Sequence, residues 1–410
     1  MTAKPRHVHA SDLRGLGRLV IDATLAITSL VETMHHNISR TPGVLGTPTQ
    51  KPTKGITGLV YRSIRGVTRL VGGSVDLALG KLAAVVGQEP SSAEREAVVA
   101  ALNGVLGDHL VASGNTLAIP MRLRRDGKAL AITRQGLAEA IPQPRGRILL
   151  LVHGLCMSDL QWKRKGHDHG AALAADPEIA SPFTCLYLHY NTGLHISING
   201  RAFAGVIEKL LKTWPVPVDE IAIVAHSMGG LVTRSALHYG MEAEHDWPRR
   251  VAKVVFLGTP HDGAPLERGG NWVNVILDGS PYTTALARLA KVRSAGITDL
   301  RHGSLADEDW AGKDRFAPSP RKTSKRLAVP LPDGVKCFAI AATVAKHAGS
   351  VGGRLVGDGL VPVHSALGHG KPPAAALGFP VRRQWIGYAM NHLDLLDRHD
   401  VYVRIRRWLA

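Results

Sequence analysis

Ile221-Ala-Ile-Val-Ala-His-Ser-Met-Gly-Gly-Leu-Val-Thr-Arg234 is the stretch on which the reading of this chain turns. Ile221–Ala225 is a short apolar, β-branched run with the length of a buried strand. From Met228 to Leu237 the pattern changes to helical, with Leu231, Arg234 and Ser235 at helical spacing. Ser227 stands at the joint. A serine on a tight strand-to-helix turn projects its Oγ above the sheet, and its neighbours must be small because backbone approaches backbone. Ala225 and Gly229 meet that demand, and Gly230 lets the helix pack near the strand. This is the G-x-S-x-G elbow pattern with alanine in place of the first glycine. The competing reading is an ordinary βα turn with a serine N-cap.

A serine hydroxyl at neutral pH needs a base, an acid to orient that base, and donors for the developing oxyanion. Candidates for all three lie in the remaining sequence. Asp358 falls in Leu355-Val-Gly-Asp-Gly-Leu-Val-Pro362, a turn after a strand end. His392 falls in Met390-Asn-His-Leu-Asp-Leu-Leu396, just before a final helix. Their order, Ser…Asp…His, is the one an elbow of this type requires. Alternatively, Asp358 bonds its own turn backbone and His392 merely starts a helix. Two backbone N–H groups must converge on the oxyanion. Met228 follows the nucleophile candidate, and Leu155 lies in the loop His153-Gly154-Leu155, which ends the apolar strand Ile148–Val152 abruptly. Cys156 is adjacent but has no elbow around it, so a structural role is expected.

Around these residues strand and helix alternate. Leu117–Arg124 and Ala129–Arg134 flank Asp126-Gly127 as a hairpin would. Strands are expected at Ile148–Val152, Cys185–Tyr190, Ile221–Ala225, Val254–Leu257 and Lys336–Ala341, and helices at Arg201–Trp214 and Val401–Leu409. An antiparallel start followed by βα alternation predicts an α/β fold, a mainly parallel sheet covered by helices on both faces. Its site should lie at the carboxyl ends of the strands. Residues 262–332 interrupt the alternation with Trp272, Trp310 and a basic tract, Lys313–Arg326, and read as a cap or lid insertion.

The expected division is a helical N-terminal extension over residues 1–115 and a catalytic domain over 116–410. In the extension, Leu13, Leu16, Val20, Ala23, Ile27, Leu30 and Met34 form one apolar stripe. Arg40–Thr53 reads as a linker. A second helix, Ile56–Val86, sets Val60, Ile64, Val67 and Val71 opposite Arg62, Arg65 and Arg69, and a third spans about Ser92–Leu106. Residues 1–82 hold eleven Lys/Arg against four Asp/Glu, and the whole chain of 410 residues carries a net charge of +17. That balance favours anionic surfaces. A peripheral contact of residues 1–82 with anionic membrane is one expectation, and packing of these helices on the catalytic domain is the other. Aromatic residues make up only 5% of the chain and do not interleave with the basic ones, so nucleic acid is not expected as a partner. Cys156, Cys185 and Cys337 are an odd number without metal-like spacing, which fits a reducing compartment. With no run as long as a membrane span and no signal-peptide pattern, the expected location is cytoplasmic, with membrane association through the N-terminus as the alternative to packing on the catalytic domain.

Taken together, LVHGL, AHSMGG, LGTPHDGAP, GDGLVP and NHLDLL resemble the α/β-hydrolase superfamily, within it lipases and GPI-inositol-deacylase-like serine esterases. The resemblance covers about residues 147–410. It implies Ser227 as nucleophile, Asp358 as acid, His392 as base, and Leu155 and Met228 as oxyanion donors. It implies a carboxylic-ester hydrolase acting on acyl or lipid esters through an acyl-enzyme, with no cofactor and no metal. An acyltransferase or amidase using the same triad, or a non-catalytic binding protein on the same fold, are the alternatives. In similar bacterial lipases an aspartate two residues after the histidine can bind calcium; Asp394 has that spacing, and helix capping is its competing role.

Overall fold

In the computed structural model the described residues are 10–38, 65, 66, 69, 92–264, 294–313, 326–348, 357–370 and 376–410. The linker Arg40–Thr53, Trp272 and most of the basic tract after Lys313 lie outside them, as does nearly all of the expected helix Ile56–Val86. The chain divides into two compact units: residues 1–95 with 110–118, and residues 96–109 with 119–410. Residues 96–109 thus belong with the larger unit, whereas the sequence reading set one boundary at 115.

In the smaller unit α1 spans Ala10–Ile38. Asp12 is buried and forms a two-pronged ion pair with Arg95, at 2.5 and 2.7 Å. Gly15 is also buried; its carbonyl accepts from Asn115 Nδ2 at 2.9 Å, and a Cβ there would stand 2.6 Å from Asn115 Oδ1. Leu13, Leu16 and Val20, three of the seven residues of the expected apolar stripe, are exposed at 49, 50 and 66%. No helix among the described residues is long and apolar enough to cross a membrane.

The larger unit is built in chain order from α2 (Ala93–Ala112, of which 96–109 belong here), β1 (Arg122–Arg125), β2 (Lys128–Ala129), α3 (Arg134–Ala140), β3 (Arg147–Val152), α4 (His169–Ala175), β4 (Thr184–His189), α5 (Ile196–Thr213), β5 (Glu220–His226), α6 (Met228–Glu242), β6 (Val251–Leu257), α7 (Ala295–His302), β7 (Lys336–Thr343), β8 (Gln384–Tyr388) and α8 (His399–Leu409). The strands form one eight-stranded sheet in the order β2-β1-β4-β3-β5-β6-β7-β8. β1 runs antiparallel to β2 and β4, and the strands from β4 to β8 are parallel. The expected α/β architecture is the one found.

The hairpin around Asp126-Gly127 is there, with both turn residues at positive φ, 50° and 73°, as a tight hairpin turn demands. Its second strand is only two residues long. Arg134, expected at the end of that strand, opens α3 instead, because the Thr133 side chain caps the helix by accepting from Gly136 N–H at 3.1 Å. β8 was not foreseen: its Gln-Trp-Ile-Gly-Tyr pattern is short and only partly buried at this sheet edge.

The central strands are apolar on both faces because both are covered. Leu149, Leu151, Ala222, Val224, Val255, Leu257, Phe338 and Ile340 share one core with Val401, Ile405, Trp408 and Leu409 of α8. Residues of opposite parity, such as Leu150, Ile223 and Phe256, are buried on the other face. There α6 lies along β5 and β3 with α5 beside it, and every α6 residue from Met228 to Leu237 is buried.

Candidate active site

β5 ends at His226, and the next residue carries the turn. Ser227 has φ 54° and ψ −126°, a conformation that non-glycine residues adopt only when the surroundings enforce it. The enforcement is visible: Ser227 N–H donates to Leu257 O at 2.8 Å, and Ser227 O accepts from Gly230 N–H at 3.0 Å. A Cβ on Gly229 would stand 2.5 Å from Val152 O and 2.6 Å from His153 O, so α6 can start here only with glycine at that position. Gly230 faces Thr259 in the loop after β6, and a Cβ there would overlap the threonine side chain. Across the turn, a Cβ on Gly154 would lie 3.0 Å from Ser227 Cβ, which places the loop after β3 directly against the serine.

Asp358 and His392 come together at the ends of β7 and β8. Asp358 sits between Gly357 and Gly359, with φ of 60° and 95°, in a turn tied to β7 by Val344 N–H donating to Gly357 O at 2.9 Å. Its Oδ1 accepts from Val361 N–H at 2.8 Å and Leu360 N–H at 3.0 Å, and its Oδ2 bonds His392 Nδ1 at 2.7 Å. His392 N–H also donates to Asp358 O at 3.1 Å. Both side chains are buried. A carboxylate accepts, so Nδ1 is the donor in this contact, and in the neutral imidazole with that tautomer Nε2 keeps its lone pair. That is the form in which an imidazole can take a proton from a hydroxyl.

His226 joins this pair to the elbow. Its ring centroid is 4.6 Å from that of His392, and its Nε2 bonds His392 O at 3.2 Å. Burial, reinforced by the neighbouring His392, holds its pKa well below the usual histidine value, so it stays neutral. The sequence reading does not single out His226 within Ala-His-Ser-Met-Gly. The available signal was a polar ring at the end of an otherwise apolar strand.

Neither the Leu155 nor the Met228 N–H has a hydrogen-bond partner among the described residues. The loop that carries Leu155 is itself held tightly. Tyr190 Oη donates to His153 O at 2.8 Å, Thr192 Oγ1 accepts from Cys156 N–H at 3.1 Å, and Cys156 takes φ 59°. Burial pushes the Cys156 thiol up to about 12, so it is protonated at neutral pH and no rival nucleophile. Burial likewise lowers His153 to about 3, against the raising effect of its Nδ1 contact with Gly154 O. Behind His153, Arg124 Nη1 bridges Glu96 Oε2 at 2.9 Å and Asp159 Oδ1 at 3.1 Å. Burial alone would raise the Asp159 pKa, but His189 and Arg124 bring it below the usual carboxylate value.

Within the insertion, α7 and Trp310 are well anchored. Asp299 Oδ2 accepts from Ile196 N–H and bonds His195 Nδ1, both at 2.9 Å, and the Trp310 ring stacks on His195 at 3.7 Å. A Cβ on Gly296 would lie 3.0 Å from Met228 Cε, so this part of the insertion abuts the elbow. Asp394, the calcium candidate by spacing, accepts from Asn391 N–H at 2.9 Å in a capping box and pairs with Lys165 at 3.5 Å. Among the described residues no cluster of three or more His, Cys, Asp or Glu is placed to hold a metal. Two surface cavities, of about 340 and 720 Å³, are lined by Arg201, Tyr239 and His245 and by Pro217, Asp219 and Arg249 respectively; neither contains Ser227, Asp358 or His392.

Residues 143–330 match the family model of the PGAP1-like alpha/beta domain. No curated protein matches the chain. Among solved structures, it is similar to the NocB thioesterase domain in covalent complex with a fluorophosphonate nocardicin G analogue, at 16% identity over 66% of this chain and 97% of that one, with a TM-score of 0.36. A hormone-sensitive lipase from a metagenome library aligns at 14% identity over 65% and 78% of the two chains, with a TM-score of 0.37. The hormone-sensitive-lipase homologue EstE7, also from a metagenome library, aligns at 13% identity over 76% and 96%, with a TM-score of 0.34.

Proposed function

We propose that this chain, a member of the α/β-hydrolase superfamily, is a serine hydrolase that cleaves carboxylic esters, lipid or acyl esters among them, through Ser227, His392 and Asp358. The observation that carries the reading is the buried Asp358–His392 pair at 2.7 Å, joined through His226 to a serine held at φ 54°. His392 Nε2 takes the Ser227 proton as Oγ attacks the ester carbonyl. The negative charge that develops on the carbonyl oxygen is met by the Leu155 and Met228 N–H groups. Collapse expels the alcohol, which receives the proton from His392. Water, activated in the same way, then releases the acid and restores the serine. Asp358 keeps the imidazole in the required tautomer and stabilises its cation, and the reaction needs no cofactor.

The test is a p-nitrophenyl ester series of graded chain length, with fluorophosphonate labelling located by mass spectrometry. Turnover and labelling at Ser227, both absent in Ser227→Ala, are expected. Labelling at another residue, or full turnover in that variant, defeats the proposal. An added alcohol acceptor and an amide analogue separate acyl transfer and amide cleavage from hydrolysis, since the three differ only in the group leaving or entering. A non-catalytic scaffold would neither label nor turn over.

The N-terminal region supports a lipid surface as the place where such an ester is met. Residues 1–82 carry a cationic excess, and the described part of α1 turns Leu13, Leu16 and Val20 outward. Salt-sensitive co-sedimentation with anionic vesicles, absent with neutral ones, is the expected result.

A further inference from the structure

The loop of the proposed Leu155 oxyanion donor is braced on one side by the elbow. On its other side lies α2, which falls before the stretch that matches the family model. The contact is close because α2 presents glycine there. A Cβ on Gly104 would overlap Cys156 Sγ and stand 3.1 Å from Cys156 Cα. Three residues on, a Cβ on Gly107 would overlap the Asn191 side chain, whose Nδ2 donates to Gly107 O at 3.0 Å. Asn191 Oδ1 in turn accepts from Gly193 N–H at 3.0 Å, and between them Thr192 holds Cys156 N–H. Ser294 Oγ of the insertion donates to Gly104 O at 2.7 Å. Cys156 therefore keeps its left-handed backbone inside a clamp made of α2 on one side and the 191–193 turn on the other. Leu155, one residue earlier, is joined directly to the clamped residue and is buried.

We propose that α2 is a positioning element for the reaction: the Gly104 face braces Cys156 and thereby aims the Leu155 N–H at the oxyanion. The inference rests on the esterase reading above. Alanine is a better helix former than glycine, so Gly104→Ala strengthens α2 itself, and any loss must come through the contact. Displacing a reacting geometry by about 1 Å can cost on the order of a hundredfold in rate.

The experiment is a double-mutant cycle of Gly104→Ala and Cys156→Ala, read as kcat and KM on a p-nitrophenyl ester, as affinity for a boronic acid that mimics the tetrahedral intermediate, and as Tm. Gly104→Ala should lower kcat about ten- to a hundredfold and weaken the boronic acid in parallel, with KM little changed. In the double variant the Sγ that collides is gone, and kcat should return to within about threefold of Cys156→Ala alone. Gly205→Ala, at a helix position with nothing within 4 Å of the added Cβ, serves as the control. A folded Gly104→Ala enzyme with the kcat of the wild type overturns the proposal. So does a loss that the double variant fails to restore, or one in which Tm falls while the boronic acid still binds as in the wild type. If the wild type itself neither turns over nor labels at Ser227, the esterase reading fails and takes this inference with it. An active wild type with an unaffected Gly104→Ala removes the inference alone.

Discussion

Helix α6 and helix α1 both show apolar residues at three- and four-residue spacing, and they end in opposite environments. In α6, Met228, Leu231 and Val232 are fully buried, and so are Arg234 and Ser235. Arg234 Nη2 donates to Val329 O, and Ser235 Oγ donates to Leu305 O at 2.7 Å. In α1 the apolar stripe at Leu13, Leu16 and Val20 is exposed, while Asp12 and Gly15 face inward. Periodicity establishes which residues share a helix face; it does not establish which face is covered. The partners decide that. For α6 the partners are a sheet and a second helix. For α1 a guanidinium and an asparagine, Arg95 and Asn115, take hold of its polar side.

The largest expected effects lie at the elbow. Ser227→Ala should abolish turnover by about ten-thousandfold or more with Tm unchanged, and Asp358→Asn should cost about ten-thousandfold by favouring the wrong imidazole tautomer. If Asp358→Asn retains turnover while Asp394→Asn does not, the acid has been misplaced. Gly229→Ala tests whether the turn is as tight as its 2.5 Å clearance implies. It should destabilise the protein by about 1–3 kcal/mol, measured by urea unfolding, and abolish fluorophosphonate labelling.

An intermediate effect comes from the buried neutral histidines around the sheet. His153 is lowered to about 3 and His169 to about 4, in both cases chiefly by burial. The unfolded chain protonates them near pH 6.5, so between that value and the folded pKa it binds more protons than the native state. Their contribution is therefore complete above pH 6.5 and is lost as pH falls toward 4. Each such histidine adds a slope of about 1.4 kcal/mol per pH unit. Urea unfolding between pH 7.5 and 4.5 should show this decline, and His169→Gln should make it shallower by about one histidine's worth. An unchanged slope would mean that His169 is solvated.

The smallest effects belong to α1, and they test the contrast most directly. Leu13→Gln, Leu16→Gln and Val20→Gln should each change stability by no more than about 0.5 kcal/mol. Gly15→Val should cost about 1–3 kcal/mol, since even a Cβ would come within 2.8 Å of Leu117 Cδ1. A cost above about 1 kcal/mol for Leu16→Gln would show that the stripe is covered, and the contrast with α6 would fall.

The strand, the turn and the start of α6 were legible because each requirement is local. A β-branched run, a serine and two glycines within ten residues leave few conformations open. Asp358 was legible through its flanking glycines, and His392 through its place before the closing helix. β8 was not, since an edge strand with one weakly buried face carries little pattern. Nor was the role of Thr192 and Gly104, which touch the loop from 36 and 52 positions away. No spacing within a stretch encodes such a contact.

Chain-local chemistry settled the αβ alternation, the place of the strand-to-helix turn at Ser227 with its small neighbours, and the residue types capable of acid–base work, because the pattern of neighbouring residues suffices for these. Tertiary packing settled the 2.7 Å pairing of Asp358 with His392, the neutrality of His153 and His226, the membership of residues 96–109 in the larger unit and the outward turn of the α1 stripe. Each of these depends on which distant surface arrives to exclude water or supply a partner, and burial is a property of the assembled fold rather than of any stretch within it.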